Sequence, residues 1–303
     1  MRRPAALLAT LAVASAQQNL KIRGVNLGGW LVLEQWIKPS LFSEWNAFDK
    51  TQPRDQWTYC AALGKKECKR RLEEHWDSWV TESTIADLAD AGITHVRIPI
   101  GHWITCDIDE DEPYVCGEWT YLQRVAAWCQ KYDILVWLDL HTAPGSQNGF
   151  DNSGRTGATH WDKSMAHVNR TLRVVEEIAT WVSKDEALAN VTTGFGLLNE
   201  PDAGIDYWRM LHYYEDAYAS IRRVLGVEVA VYVGDMFNPK NFNWSAMSQR
   251  SSTCGDGVPR RGDRPRRRVE GLPPQVLGQQ GQRAPGPEQR GRERVFGLAH
   301  LRL

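Results

Sequence analysis

Residues 194–201 read GFGLLNEP, an apolar run that ends abruptly in Asn, Glu and Pro. The run is continuous rather than alternating, which is typical of a parallel strand buried on both faces. Four similar runs occur along the chain, at Lys21–Asn26, Thr94–Ile100, Ile134–Leu140 and Val227–Val233. We therefore predict five parallel strands, of which Gly194–Leu198 is the fourth.

Amphipathic segments lie between these runs. Residues Lys69–Ala91 place Leu72, Trp76 and Ile85 along one side, and Gly92 is a typical residue to end a helix. Three further segments have the same character: Thr120–Tyr132, Met165–Lys184 and Tyr207–Leu225. Strands that alternate with helices predict an α/β fold with a parallel sheet.

Two parallel architectures compete for this pattern. A doubly wound sheet usually has a Gly-rich phosphate turn after its first strand, but Gly28-Gly29-Trp30 puts a bulky Trp there. A (β/α)₈ barrel instead carries its chemistry at the carboxyl ends of successive strands. Polar residues lie at or near all five predicted ends: Asn26, Arg97, Asp139 and His141, Asn199 and Glu200, and Asp235. This repetition favours a barrel of the TIM type.

The overall composition excludes some classes of protein. The chain has 303 residues, a net charge of −1 and 42% hydrophobic residues, which argues against disorder throughout and against a nucleic-acid binder. No apolar run reaches the roughly 20 residues that a membrane span needs.

The net charge of −1 is the sum over three segments that differ in composition. Residues 1–16 combine two Arg, an apolar stretch and a small-residue cleavage site, which predicts a secretory signal peptide. Residues 251–303 contain eleven Arg, no Lys, nine Gly and six Pro, which predicts a disordered basic tail. Between them, residues 17–250 form an acidic segment that contains all 14 Trp. We therefore expect a secreted, extracellular or cell-wall protein.

The tail has three interpretations: a solvated end, a basic nucleic-acid patch, or out-of-frame translation. The abrupt loss of Lys and Trp after Arg250 favours the third. The predicted strands recur at about 50-residue intervals, so eight units would need roughly 400 residues. Residues 17–250 are too few for that number, and we expect an incomplete barrel of about five βα units.

Secretion favours disulfides over metal ligation by cysteines. Cys106 and Cys116 flank an acidic loop and are candidates for a pair, and the five cysteines before the tail leave one without a partner. The three glycosylation sequons, at Asn169, Asn190 and Asn243, are consistent with a secreted glycoprotein.

Glu200 is the strongest candidate for chemistry. A Glu at a strand end beside Asn199 suits glycoside hydrolysis, in which an acid protonates the glycosidic oxygen and an amide holds the sugar 2-OH. Arg97 could orient a carboxylate, and His141 could donate to a sugar hydroxyl. Glu34 and Asp151 could accept hydrogen bonds from sugar hydroxyls. Five aromatic residues are candidates for stacking on sugars: Trp30, Trp36, Trp103, Phe150 and Trp161.

Several longer motifs surround these residues. They read RGVNLGGWLVLE at 23–34, EHWDSW at 74–79, HVRIPIG at 95–101, DLHTAPGSQNGFDNSG at 139–154 and LNEP at 198–201. Through these motifs the chain resembles the fungal and oomycete exo-β-1,3-glucanases of glycoside hydrolase family five, in clan A. The resemblance covers residues 21 to about 247.

The resemblance implies a role for each candidate residue. Glu200 would be the general acid/base, Asn199 would bind the 2-OH, and Arg97 and His141 would support the catalytic site. Glu34 and Asp151 would hold the terminal glucose, and Phe150 would form one side of an aromatic entrance. The activity would be retaining exo-hydrolysis of β-1,3-glucan or oligosaccharides by a monomer, without metal or organic cofactor.

The chain departs from the family pattern in its second half. The family carries a nucleophilic Glu after the seventh strand and a His-x-Tyr pair after the sixth, and neither motif is present here. Glu270, Glu288 and Glu293 in the tail lack strand context, so none is assigned. Two alternatives to an exo-glucosidase therefore stay open: a non-catalytic carbohydrate-binding relative, and another clan A hydrolase such as an endo-β-glucanase.

Overall fold

The computed structural model describes residues 21–46, 49, 51–239 and 299–301. Five parallel strands run in chain order through one sheet: β1 (Gly24–Asn26), β2 (His95–Ile100), β3 (Leu135–Leu140), β4 (Thr192–Gly196) and β5 (Ala230–Val233). Consecutive order without reversal is the order of a (β/α) barrel and not of a doubly wound sheet. The five predicted strands and the incomplete barrel are confirmed.

Seven helices accompany the strands within the described residues: α1 (Gln56–Leu63), α2 (Lys65–Trp79), α3 (Glu82–Asp90), α4 (Glu118–Lys131), α5 (Met165–Lys184), α6 (Glu186–Val191) and α7 (Tyr207–Leu225). Short 3₁₀ turns lie at Pro39–Phe42, His102–Thr105, Asp151–Ser153 and Trp161–Lys163. The predicted bounds of α5 and α7 match the structure.

The single helix predicted over Lys69–Ala91 is wrong. The structure has α2 and α3 there, separated at Val80 and Thr81. The Thr81 hydroxyl accepts from the backbone N–H of Thr84, and the Thr84 side chain binds back to the Thr81 backbone. This capping box begins a new helix, because it satisfies N–H groups that a continuous helix would bond to carbonyls one turn earlier.

The end of the chain is described only at Ala299–Leu301. These residues form strand β6, whose backbone pairs in antiparallel register with Val231–Val233 of β5. The prediction of a disordered tail over residues 251–303 stays a prediction. The predicted signal peptide and the rest of the predicted tail lie outside the described residues, so those predictions stay predictions.

The core lies between the sheet and the helices. It includes Ile98, Leu138 and Phe195 from the strands and Trp76 and Ile178 from the helices, all essentially without exposure. Two disulfides, Cys60–Cys68 and Cys106–Cys116, are present. Cys129 is buried and unpaired among the described cysteines. Within the same residues, no helix is both long and apolar enough to cross a bilayer.

Candidate active site

Arg97 joins three neighbouring strand ends through its guanidinium group. Nη1 donates to Asn26 Oδ1 (2.9 Å), and Nη2 donates to Asn199 Oδ1 (2.7 Å) and lies 2.8 Å from Asp139 Oδ2. The parallel register places Asn26 directly beside Arg97. The carboxylate that Arg97 contacts is therefore Asp139, which the sequence marked only as a strand end.

Space for Asp139 depends on the residue opposite it in β4. Gly196 pairs with Asp139, and a Cβ at Gly196 would lie 2.8 Å from Asp139 Oδ1. Burial raises the pKa of Asp139, but the charge of Arg97 and hydrogen bonds from His141 and Arg97 outweigh burial, and the net pKa lies below its usual value. Asp139 is thus an ionised partner held between two donors.

His141 is oriented by that carboxylate. Its Nδ1 lies 2.6 Å from Asp139 Oδ2, and its Nε2 lies 4.0 Å from Glu34 Oε1. Because an ionised Asp139 can only accept, Nδ1 donates to it. Nε2 is buried and has no hydrogen-bond partner within the described part of the chain. It is therefore free to bind a polar group of a ligand.

Asn199 is held in a matching way. Arg97 occupies its Oδ1, while its Nδ2 is buried without a partner among the described residues. The fully buried side chain of Gln147 donates from Nε2 to the carbonyls of both His141 (2.8 Å) and Asn199 (3.0 Å). Gln147 therefore fixes the ends of β3 and β4 to each other. Two polar nitrogens without partners in the described part of the chain, the acceptor Nε2 of His141 and the donor Nδ2 of Asn199, remain at these adjacent strand ends.

Glu200 has a left-handed backbone conformation, with φ of 44°. Such a conformation is uncommon for a residue with a side chain and is held here by its surroundings. Asn152 Nδ2 donates to Glu200 Oε2 (2.7 Å), and Asn148 Nδ2 donates to the Glu200 carbonyl (3.1 Å). Both amides come from the loop after β3, so this loop aims the Glu200 carboxylate.

Glu34 and Asp151 are two further carboxylates close to His141 and to each other. Glu34 is buried, and its Oε2 accepts from Trp36 Nε1 (3.2 Å). Burial, reinforced by the charge of Glu34, raises the pKa of Asp151 to about 6. Trp36 and Phe150 expose 73% and 53% of their surface, so both can contact a ligand.

The stacking prediction is wrong for three of the five aromatic residues. Trp30, Trp103 and Trp161 are fully buried. Their indole nitrogens donate to the Trp76 carbonyl, to Glu118 and to Thr171 respectively, at 2.7–3.0 Å. A buried indole with a satisfied N–H belongs to the core. Of these five residues, Trp36 and Phe150 alone expose a face to which a sugar could bind.

The structure brings together most of the predicted site residues. Arg97 contacts Asn199, His141 lies near Glu34, and Glu34 affects the titration of Asp151. Sequence reasoning missed the contacts that Gln147, Asn148 and Asn152 make. All three lie in the motif at 139–154, and the density of amides in that motif was the available signal.

Residues 60–259 match the sequence model of a protein family described as Cellulase (glycosyl hydrolase family 5). The chain belongs to glycosyl hydrolase family 5. The match begins within α1 and includes β2 to β5 and the loop after β4 that carries Glu200. The family expected from the sequence motifs is therefore confirmed.

Two relatives are similar over most of the described barrel. The chain is 45% identical over 228 residues to the glucan 1,3-beta-glucosidase of Blumeria graminis, in a match that covers 74% of this chain and 51% of the relative. It is 42% identical over 205 residues to that of Pichia angusta, covering 67% of this chain and 46% of the relative. The chain thus spans about half the length of the relatives it matches.

Among solved structures, the rutinosidase from Aspergillus niger has a similar fold. Its TM-score is 0.62 at 24% sequence identity, and the match covers 71% of this chain and 63% of the rutinosidase. At that identity the similarity supports the fold alone, which agrees with an incomplete family 5 barrel.

Proposed function

We propose that this family 5 chain derives from a retaining exo-β-1,3-glucanase that releases glucose from β-1,3-glucan. One observation carries the proposal: Glu200 is aimed by Asn152 from the loop that also supplies Asp151, beside two buried polar nitrogens that have no partner among the described residues. That arrangement combines an acid with polar groups that could grip one sugar ring.

Glu200 acts in this proposal as the general acid/base. The hydrogen bond from Asn152 uses Oε2 and leaves the other oxygen of Glu200 for the glycosidic oxygen. Proton delivery to the leaving group and later removal of a proton from water complete the two halves of a retaining cycle.

Asn199 binds the sugar 2-OH in this proposal. Arg97 occupies Oδ1 of Asn199, so the amide cannot flip without losing a hydrogen bond to a charged donor. Its free Nδ2 hydrogens can then hold a hydroxyl as charge develops on the ring. Nε2 of His141 supplies a second contact to the same sugar.

Glu34 and Asp151 accept hydrogen bonds from the terminal glucose in this proposal. Phe150 and Trp36 supply exposed aromatic faces for the sugar at the entrance. A pocket that holds a chain end in this way favours removal of single glucose units over internal cleavage.

Retention also needs a nucleophilic carboxylate about 5–5.5 Å from the acid. We assign none, and Glu270, Glu288 and Glu293 lie outside the described residues. The absence of the nucleophile from this chain stays a prediction. A secreted, monomeric, glycosylated protein is part of the same proposal, supported by two disulfides and by exposed Asn169 and Asn190.

The purified 303-residue chain, incubated with laminarin, tests the proposal. Glucose as the initial product, lost by a factor of about 10²–10⁴ in Glu200→Gln, would support the enzyme and contradict the predicted absence of a nucleophile. Glu186→Gln is the control, because Glu186 is exposed on α6. Initial release of oligosaccharides would contradict exo action and favour an endo-glucanase. Laminarin binding without any release would instead favour a non-catalytic carbohydrate-binding protein.

A further inference from the structure

Asp55 is a fully buried carboxylate at the start of α1. Its Oδ1 accepts from both the backbone N–H and the hydroxyl of Thr58, each at 2.8 Å. Those two contacts make an ordinary helix cap. They use only one of the two carboxylate oxygens.

The second oxygen reaches a distant part of the chain. Oδ2 of Asp55 accepts from the backbone N–H (2.8 Å) and the hydroxyl (2.6 Å) of Thr156. Thr156 closes the loop that begins with Phe150 and Asp151. The Asp55 carboxylate therefore ties α1 to the loop that supplies part of the proposed sugar pocket.

The same short segment also holds the loop of Glu34. The backbone of Asp55 forms an antiparallel bridge with Glu34. The next residue, Gln56, accepts from the backbone N–H of Leu33 through its side-chain oxygen at 2.9 Å. The two loops that carry Glu34 and Asp151 thus meet on one helix terminus.

Further contacts fasten the second loop, including a hydrogen bond from Arg54 Nε to the Thr156 hydroxyl oxygen (2.9 Å). The Trp57 backbone N–H donates to the Gly154 carbonyl (2.9 Å), which also accepts from the Tyr114 hydroxyl (3.1 Å). The Arg155 guanidinium lies 3.8 Å from the centre of the Trp57 ring. These contacts restrain the loop but do not link it to Glu34 through a single residue, as Asp55 does.

We propose that Asp55 is a positioning residue that sets the separation of Glu34 and Asp151 in the terminal-sugar pocket, an inference that rests on the proposed function. Its carboxylate accepts four hydrogen bonds, two on each oxygen. An amide of the same shape can accept on one side only, because its nitrogen is a donor. Asp55→Asn therefore breaks either the cap or the tie to Thr156 with little change in volume.

Asp185 supplies a matched control. Its Oδ1 caps α6 by accepting from the Leu188 N–H (2.9 Å), and its Oδ2 accepts from Gln123 Nε2 (2.7 Å) on α4. Asp185→Asn thus removes a cap and a link between two elements, as Asp55→Asn does. Neither α4 nor α6 carries a proposed site residue.

Hydrogen exchange of the full chain measures the positioning directly. We expect Asp55→Asn to speed amide exchange in peptides covering residues 149–157 about tenfold, as loss of a hydrogen bond to a charged acceptor allows. We expect Asp185→Asn to leave that loop unchanged. Thr156→Val removes one donor to Asp55 together with the acceptor of Arg54 Nε and keeps the α1 cap, so it tests the link from the loop side if Asp55→Asn does not fold.

Laminaribiose affinity, measured by calorimetry, supplies the functional readout. Asp55→Asn and Thr156→Val should weaken binding about tenfold, whereas Asp185→Asn should bind as the wild type does. Unchanged loop exchange in both Asp55→Asn and Thr156→Val would overturn the positioning role. Faster loop exchange with unaltered affinity would also overturn it. A wild-type chain that does not bind laminaribiose would contradict the proposed function, and loop exchange would then decide alone whether Asp55 holds the loop.

Discussion

Nδ1 of His141 lies 2.6 Å from Oδ2 of Asp139, the same oxygen that Arg97 contacts at 2.8 Å. One buried carboxylate therefore compensates the guanidinium charge and also selects which ring nitrogen of His141 carries the proton. With the proton on Nδ1, Nε2 is a hydrogen-bond acceptor, and it lies 4.0 Å from Glu34 Oε1. The proposed sugar site thus depends on Asp139, which need not touch the sugar.

Replacement of Asp139 by Asn should damage both stability and activity. Arg97 would keep a charge without its partner, and loss of one member of a buried pair costs about 3–5 kcal/mol. The His141 ring would lose its fixed tautomer, and misplacement of site groups costs roughly 10²-fold in rate. Urea denaturation and kcat/KM on laminarin measure the two effects. Asp77→Asn, which removes an exposed partner of Arg124, is the control and should cost under about 1 kcal/mol.

Asp139 also predicts the sign of a pH effect on stability. Its folded pKa lies below the usual 3.8, so the stability it contributes is present above pH 3.8 and is lost as the pH falls through the folded pKa. Asp139→Asn should lose less stability than the wild type over that acidic range. If the free energies of unfolding of the two proteins fell in parallel below pH 4, the lowered pKa of Asp139 would be contradicted.

Asp151 should make sugar binding pH-dependent near neutrality. Its pKa is raised to about 6, so it is an ionised, stronger hydrogen-bond acceptor only above that pH. Laminaribiose affinity should therefore fall as the pH drops from 7 to 5, by up to about 1.5–3 kcal/mol for one charged hydrogen bond. Calorimetry across this range measures the effect, and Asp151→Asn should bind weakly with a flat profile.

The same group acts in the opposite direction on folding. Because the folded pKa of Asp151 lies above its usual 3.8, its contribution to stability is full below pH 3.8 and is lost as the pH rises through about 6. Asp151→Asn should therefore stabilise the free protein at pH 7 relative to the wild type. A variant that is less stable at pH 7, with an unchanged pH dependence, would be inconsistent with the raised pKa.

Ionisation of Glu118 should lower the stability of the protein as the pH rises from 4.5 to 8. Glu118 is fully buried at the start of α4, with Oε1 accepting from Trp103 Nε1 (2.7 Å) and Oε2 from the Gly117 N–H (2.9 Å). Burial raises its pKa from 4.5 to about 8 although both hydrogen bonds lower it. Each pKa unit is worth about 1.4 kcal/mol, so unfolding free energy should fall by several kcal/mol between pH 4.5 and 8.

Thermal unfolding of Glu118→Gln across that pH range tests this expectation. The variant loses one of two accepted hydrogen bonds, about 1 kcal/mol, but should show a flatter pH dependence than the wild type. Glu82, the partly exposed first residue of α3, is the control, because a hydrogen bond from Lys131 lowers its pKa. Glu82→Gln should leave the fall in stability between pH 4.5 and 8 unchanged.

The strands and most of the site were predictable from sequence because both depend on local patterns. Continuous apolar runs locate parallel strands, and the carboxyl ends of those strands lie at one edge of the sheet. The meeting of Arg97, His141 and Asn199 follows from that geometry. The role of Gly196 does not, since it depends on the register that places Asp139 opposite it.

The contacts that were missed join residues far apart in the chain. Thr156 and Asp55 are separated by 101 positions, and Asn152 and Glu200 by 48. No periodicity indicates which amide in a loop will reach which carboxylate. Burial of Trp103 and Trp161 was missed for a similar reason, because a Trp in a loop has the same local pattern whether it packs inward or outward.

The disulfide Cys106–Cys116 should contribute more stability than Cys60–Cys68, although the two close loops of similar length, with sequence separations of 10 and 8. Loop closure alone predicts about 2–4 kcal/mol for each. The Cys106–Cys116 loop also carries Asp109 and Glu112, which bind the buried Arg170 at 2.9 and 2.6 Å.

Release of that loop would separate Arg170 from its counter-charges. Burial raises the pKa of Glu112, but the nearby His102, whose Nε2 lies 3.8 Å from Glu112 Oε1, and the hydrogen bonds from Arg170 outweigh burial and bring it to about 2. Serine replacement of Cys106 and Cys116 should therefore cost the loop-closure free energy plus part of the stabilisation that the buried Arg170–Glu112 pair provides. Serine replacement of Cys60 and Cys68 should cost the loop-closure free energy alone. Urea midpoints of the two double variants at pH 7, without reductant, measure the difference. Loss of the pair raises the pKa of Glu112 toward 4.5. The difference between the urea midpoints of the two double variants should therefore narrow as the pH falls from 4.5 to about 2. Equal midpoints at pH 7 would show that Arg170 adds nothing to the stabilisation by the Cys106–Cys116 disulfide.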